Sequence, residues 1–310
     1  MVFALLAVVL FSISATTATR AARILGGTEA NFWRLCVATT VLAIYAYLFG
    51  VGLGGPAFSW FVLSGFLGFG LGDLALFQAL PRLGSRVSIM LVHCIAAPFA
   101  GILEWLWLGT AITPLEILSA VILMTGVCLG LAGDRDTGNR TPRYISGILF
   151  GTLAAVGQAS GAVLSRKAFL MDQTANFSID GISAAYQRIL GGVFISGVWL
   201  LCTLPTRGKS QLTRSFESLA EKTRHVGPWV IVNGLAGPAF GVSCYQWALK
   251  TTPTAIVLPI VALTPLAVIP IVRFTEGDRP TKRSVVGAVI AVLGVILLAL
   301  GRTPPGSAAR

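Results

Sequence analysis

Three ionisable residues stand inside long apolar stretches of this chain: Asp73, His93 and Glu104. Carrying such groups into hydrocarbon is costly, so they face a protein-lined or watery interior and mark solute sites or proton paths. Asp73 falls seven residues before the end of an apolar run at 59–80, and His93 six residues after the start of the next, at 87–108. If the two runs are antiparallel helices, both residues lie about 10 Å from the same membrane interface. A carboxylate and an imidazole at one depth can pair, and a pair titrating near neutral pH can couple proton movement to solute movement. The competing reading is structural, with His93 bonding a carbonyl across helices and Asp73 lining a wet crevice. Glu104 sits four residues from the far end of its run, where an interfacial role is expected. Arg34 and Arg188 fall close to the starts of their runs, which favours snorkelling or anchoring over solute contact.

Uncharged polar groups extend the set: Gln78, Gln158, Asn233, Tyr245 and Gln246, with Trp60, Trp229 and Trp247 on the same runs. Amides and aromatics of this kind can line a selective pocket without buried charge, or simply join helices; the sequence leaves both open. The five cysteines, Cys36, Cys94, Cys128, Cys202 and Cys244, lie within apolar runs and form no CxxC or Cys/His pairing. They read as small packing residues, and no metal or cofactor is expected. No GxxxxGK[ST] motif is present, which argues against direct use of ATP.

The elements that must position these residues follow from composition. The chain has 310 residues, 55% hydrophobic and only 11% charged, with a mean hydropathy of +0.81. A soluble domain carries about a quarter charged residues, so this is an integral membrane protein. Apolar runs at 2–19, 32–49, 59–80, 87–108, 115–132, 144–165, 183–204, 228–249, 254–272 and 284–301 are each long enough to cross a bilayer as a helix. Barrel strands would alternate instead. The expected fold is an all-α membrane protein of ten transmembrane helices. The first run is not read as a signal peptide, because Arg20 and Arg23 follow it rather than precede it.

The net charge of +11 does not point to nucleic acid. Most Lys and Arg sit in short loops beside helix ends and report orientation and contact with an anionic leaflet. They concentrate after odd-numbered runs, which puts those loops in the cytoplasm and both termini outside. In the long loop after the seventh run, Leu212, Phe216 and Leu219 alternate with charged residues, a pattern for a short amphipathic surface helix or for a plain solvated loop.

The runs also read twice. Trp60, Gly65, Gly68, Gly72, Ala79 and Leu80 recur at one constant shift as Trp229, Gly234, Gly237, Gly241, Ala248 and Leu249. Arg34 answers to Arg188, Pro98 to Pro265, and Gly126-Val127 to Gly294-Val295. The polar stretch 134–143 divides a first repeat, 1–133, from a second, 144–301, with a tail at 302–310. Five spans per repeat is odd, so the second half enters the membrane from the opposite side, giving inverted repeats with a solute site between them. The scaffold residues repeat but the ionisable ones do not: the partners of Asp73, His93 and Glu104 are Val242, Ile260 and Ile271. The paired glycines suit close helix packing, and with Pro98, Pro259, Pro265 and Pro270 they suit hinges as well.

In this order and twice over, these features resemble the EamA-like family of the drug/metabolite transporter superfamily. The resemblance rests on the arginine opening each second helix, the Gly-rich third helix closing in Ala-Leu, the proline in each fourth and the Gly-Val of each fifth. Two features depart from it. The acidic–basic pair between fourth and fifth helices is missing from Leu108-Gly109-Thr110-Ala111 and survives loosely in Glu276-Gly277-Asp278-Arg279; and the family implies cytoplasmic termini, against the loop charges. The resemblance implies a multi-pass cell-membrane transporter, monomeric or homodimeric. It would export small metabolites such as amino acids or related organic solutes by alternating access, driven by a proton gradient or by the solute's own. The alternatives are a polytopic enzyme acting on a lipid or isoprenoid phosphate, and a non-transporting scaffold.

Overall fold

The computed structural model describes residues 2–108, 113–132, 142–203, 225–251, 257, 260–275 and 281–301, and every regular element among them is helical. The chain runs through α1 (Val2–Leu25), α2 (Gly27–Leu48), α3 (Phe58–Gly65), α4 (Asp73–Leu108), α5 (Pro114–Ala132), α6 (Pro142–Thr174) and α7 (Gly181–Thr203). There follow α8 (225–234), α9 (Val242–Thr251), α10 (Thr264–Thr275) and α11 (Lys282–Gly301). Five helical stretches are long and apolar enough to cross a membrane: Val2–Leu25, Gly27–Leu48, Phe58–Leu103, Pro142–Thr174 and Gly181–Thr203; Ile117–Gly126 and Thr264–Thr275 are shorter apolar helices. The molecule is a multi-pass membrane protein. The surface helix expected around Leu212, the linker 134–141, Pro259 and Glu276–Arg279 lie outside the described residues.

The 46-residue stretch Phe58–Leu103 would be about 70 Å long as one straight helix, more than twice a bilayer core. Gly84 divides it. Its φ of 77° and ψ of 166° interrupt α4, a conformation that only glycine adopts readily. Pro81, inside the same helix, weakens it one turn earlier. The chain therefore turns back on itself between Asp73 and His93.

Two π-helices interrupt the α-helices, at Phe66–Gly72 between α3 and α4 and at Leu235–Gly241 between α8 and α9. They stand at the same shift that carries Trp60 onto Trp229. Both segments are rich in glycine, which leaves room for the widened turn, and a π-turn inside an α-helix commonly marks a functional site.

Packing brings distant parts of the chain together. The first π-helix lies on α6 and α7; the second lies on α1 and α2. Helix α4 packs along α6, α1 along α10, α2 along α7, and α5 along α11. Small residues close these interfaces: Ala7, Ala21, Ala30, Ala46, Ala159 and Ala184 are all fully buried. Leu5, Leu48, Phe49, Leu149 and Phe194 face outward, where lipid solvates them. Between membrane helices close approach replaces the hydrophobic drive, which explains the alanine- and glycine-rich core.

Several helices extend beyond the apolar runs that reveal them. Helix α1 continues through Arg20 and Arg23, α6 through Arg166 and Lys167, and α2 and α7 begin at Gly27 and Gly181. Hydropathy marks the hydrocarbon thickness, whereas the helices go on where charged side chains find partners. Asp172 in the last turns of α6 accepts from the Ala57 amide at 3.1 Å, and Asp180 caps α7 through the amides of Ile182 and Ser183 at 2.8 and 2.9 Å.

Candidate functional site

Where the two π-helices approach the centre, they and their neighbours enclose a cavity of about 100 Å³. Its wall takes Phe11 and Ser14 from α1, Arg34 from α2, Asp73, Ile89 and His93 from α4, and Phe69 from the first π-helix. Gln158 of α6, Arg188 of α7, Pro238 of the second π-helix and Tyr245 of α9 close the opposite side. The space holds several water molecules, each needing about 10–15 Å³ by such a measure, or the polar head of a small solute.

Its charged centre is an ion pair. Arg34 and Asp73 meet through Nη2 and Oδ2, both deeply buried. Around the pair, Gln158 Nε2 donates to Asp73 Oδ1 at 2.8 Å, and Arg34 Nε donates to Asn31 Oδ1 at 3.1 Å. Asn31 Nδ2 in turn donates to Ser196 Oγ at 2.9 Å, and the Arg34 guanidinium lies 4.5 Å from the centre of the Phe77 ring. These partners fix both ends of the pair, as a buried charge requires.

The arginines are held reciprocally. Glycines of the first π-region contact Arg188, since a Cβ at Gly65 would collide with the Arg188 carbonyl and one at Gly68 would meet Nη2 at 2.6 Å. Glycines of the second contact Arg34: a Cβ at Gly234 would meet its carbonyl at 2.8 Å, and one at Gly237 would meet Nη1 at 3.2 Å. Each Gly-rich segment thus clasps the arginine of the other half of the chain.

The sequence candidates divide into two groups. Asp73, His93, Gln158, Tyr245, Arg34 and Arg188 all line the cavity. The other described candidates do not. Asn233 Oδ1 accepts from Ser14 Oγ at 2.8 Å just behind the wall, and Gln246 Nε2 donates to Ser165 Oγ at 3.1 Å between α6 and α9. Trp60 lies under Lys167 at 4.1 Å and Trp229 under Arg20 at 4.4 Å, in two cation–π contacts. The Glu104 side chain lies outside the described residues.

Two expectations are corrected. Asp73 does not pair with His93; its carboxylate goes to Arg34 and Gln158, and His93 stacks against Phe11 with ring centres 6.0 Å apart. Arg34 and Arg188 do not snorkel, being only 5% and 2% exposed. Their depth was concealed because α2 and α7 start at Gly27 and Gly181, before the apolar runs, so each arginine is about 10 Å along its helix. The signal that could have found them is their recurrence in the sequence, each opposite a glycine pair of the other half of the chain. Phe11, Ser14 and Phe69 carried no signal at all.

Fold and site define an all-helical, multi-pass membrane protein with a polar, charged cavity at its centre. The chain matches the EamA-like transporter family in two regions, 1–131 and 145–300. It belongs to that family, a family of membrane transporters within the drug/metabolite transporter superfamily. No curated protein matches it. A crystal structure of another protein is similar over 97% of this chain and 96% of its own, with a TM-score of 0.63 and 16% sequence identity, which shows a shared fold.

Proposed function

We propose that the protein is a secondary transporter that exports small metabolites, amino acids or related organic solutes, across the cell membrane by alternating access. In this reading ten spans form two inverted five-helix repeats, and the solute occupies the central cavity. The observation that carries it is a cavity whose wall comes from both family-matched regions and whose two arginines are each held by a Gly-rich segment of the opposite half. Support for the repeat comes from the two π-helices in register and from the swapped cation–π contacts, Arg20 on Trp229 and Lys167 on Trp60. Two halves that clasp each other through smooth glycine faces can rock without losing contact.

Proton coupling is assigned to Asp73. A proton on its carboxylate would release Arg34 and change the charge of the cavity, giving solute and proton one shared element to compete for. His93 lines the same wall, and in this reading its imidazole relays that proton.

The test is solute uptake into proteoliposomes under an imposed pH gradient, with wild type, Asp73→Asn and His93→Ala. Gradient-driven uptake is expected in wild type, with Asp73→Asn losing the response to the gradient while still exchanging solute. A folded, inserted Asp73→Asn protein that transports at the wild-type rate with the wild-type pH dependence would end the coupling assignment.

A further inference from the structure

Arg188 is the cavity's uncommitted cation. It is 2% exposed, and its Nε has no hydrogen-bond partner among the described residues. No carboxylate there lies within ion-pair distance of it, because Asp73 is spent on Arg34 and Gln158. The guanidinium lies in a slot between Gly68 and Gly161, where a Cβ on either would come within 2.6 or 2.8 Å of Nη2. Its flat face lies 5.1 Å from the Phe69 ring, and Tyr245 is near enough to feel its charge.

That arrangement is costly in an empty protein. A buried cation without a bonded counter-ion loses its hydration, and Asp73, already bonded to Arg34 and Gln158, offsets that only through longer-range attraction. The slot also fixes the orientation of the guanidinium, as a fork with two parallel donors must be fixed to grip a planar anion. With Arg34, Arg188 and Asp73 charged and His93 neutral, the lining carries a formal charge of +1, an excess that favours a carboxylate group beside Arg188.

We infer that Arg188 is the subsite for a carboxylate of the transported solute, so that the substrates are small molecules bearing a carboxylate, 2-oxo acids and amino acids among them. The carboxylate docks on the Arg188 fork, with the Tyr245 hydroxyl beside it as a further donor. The apolar part of the solute rests against Phe11, Phe69 and Leu76. This inference rests on the transporter reading and sharpens its substrate class.

The experiment uses proteoliposomes holding the full-length protein and a panel of aliphatic and aromatic amino acids and 2-oxo acids. Alongside them go the corresponding amines, which lack the carboxylate, and the amides, which mask it. Carboxylates are expected to be transported and to compete with one another, and amines and amides to do neither. Tyr245→Phe, which removes one hydroxyl, is expected to raise KM for carboxylates about tenfold. Arg188→Gln is expected to raise it a hundredfold or more, with Arg188→Lys between wild type and Arg188→Gln. If amines or amides move as fast as the acids, or if Arg188→Gln protein that is folded by circular dichroism keeps the wild-type KM, the carboxylate subsite is wrong while transport stands. If folded, inserted wild type moves nothing in the panel and no other metabolite supplied as an extract, the transporter reading itself fails and the subsite falls with it.

Discussion

Removing Asp73 should harm the protein more than removing Arg34, although each deletes one half of the same ion pair. The side chains of the pair are only 6% and 4% exposed, which puts it in the class where breaking one partner costs about 3–5 kcal/mol rather than the 0–1 kcal/mol of surface pairs. The two losses differ in what they leave behind. Asp73→Leu strands Arg34 with one hydrogen bond to Asn31 and the Phe77 face, and leaves Arg188 as a second buried cation nearby. Arg34→Met leaves Asp73 with Gln158 and with the attraction of Arg188. The expected costs are about 3–5 kcal/mol for Asp73→Leu and roughly 1–2 kcal/mol less for Arg34→Met. The double variant should be less destabilised than the sum, by well over the ~0.5 kcal/mol within which independent sites add. Unfolding in mixed micelles, followed by tryptophan fluorescence, measures all four corners of the cycle. Equal losses for the two single variants, with additivity in the double, would refute the buried-pair reasoning.

Three further outcomes follow from local geometry. Gly84→Ala should cost about 1–3 kcal/mol in the same unfolding assay, since its positive φ excludes a side chain, whereas Gly227→Ala, with open space around it, should be near neutral. Gly65→Ala should abolish transport and lower the thermal midpoint, because its Cβ would drive α3 away from the Arg188 carbonyl; size-exclusion and melting curves in detergent check it. Lys167→Met should lose about 1–2 kcal/mol, since the ammonium lies over both Trp60 and Trp107 at 4.1 and 4.4 Å, and a parallel change in tryptophan emission would identify the rings involved.

What the sequence could reveal was whatever depends on composition along one helix. Apolar length exposes the membrane class, and the repeated glycines expose the two segments that become π-helices. Contacts between segments tens of residues apart left no such trace. Nothing local distinguishes Arg34, His93 and Gln158 as partners for Asp73, and helix packing makes the choice. Trp60 and Trp229 read as pocket residues because they share a run with Gln78 and Tyr245. Yet neither tryptophan is among the residues that line the cavity; each faces a cation from the other half of the chain, Lys167 and Arg20. The arginines were misplaced for the opposite reason: Gly27-Thr28-Glu29 is helical although polar, so the helix begins before hydropathy rises.

The central claim, a cavity that opens alternately to either side, is tested most directly by Val242→Cys in a protein whose five native cysteines are replaced. Val242 stands at the same sequence shift from Asp73 as Trp229 from Trp60 and lines the same wall. In sealed proteoliposomes, a membrane-impermeant thiol reagent should label Cys at this position when added inside and also when added outside, and a transported carboxylate should slow both reactions. Labelling from one side only, or from neither, under conditions where solute is exchanged would contradict the account.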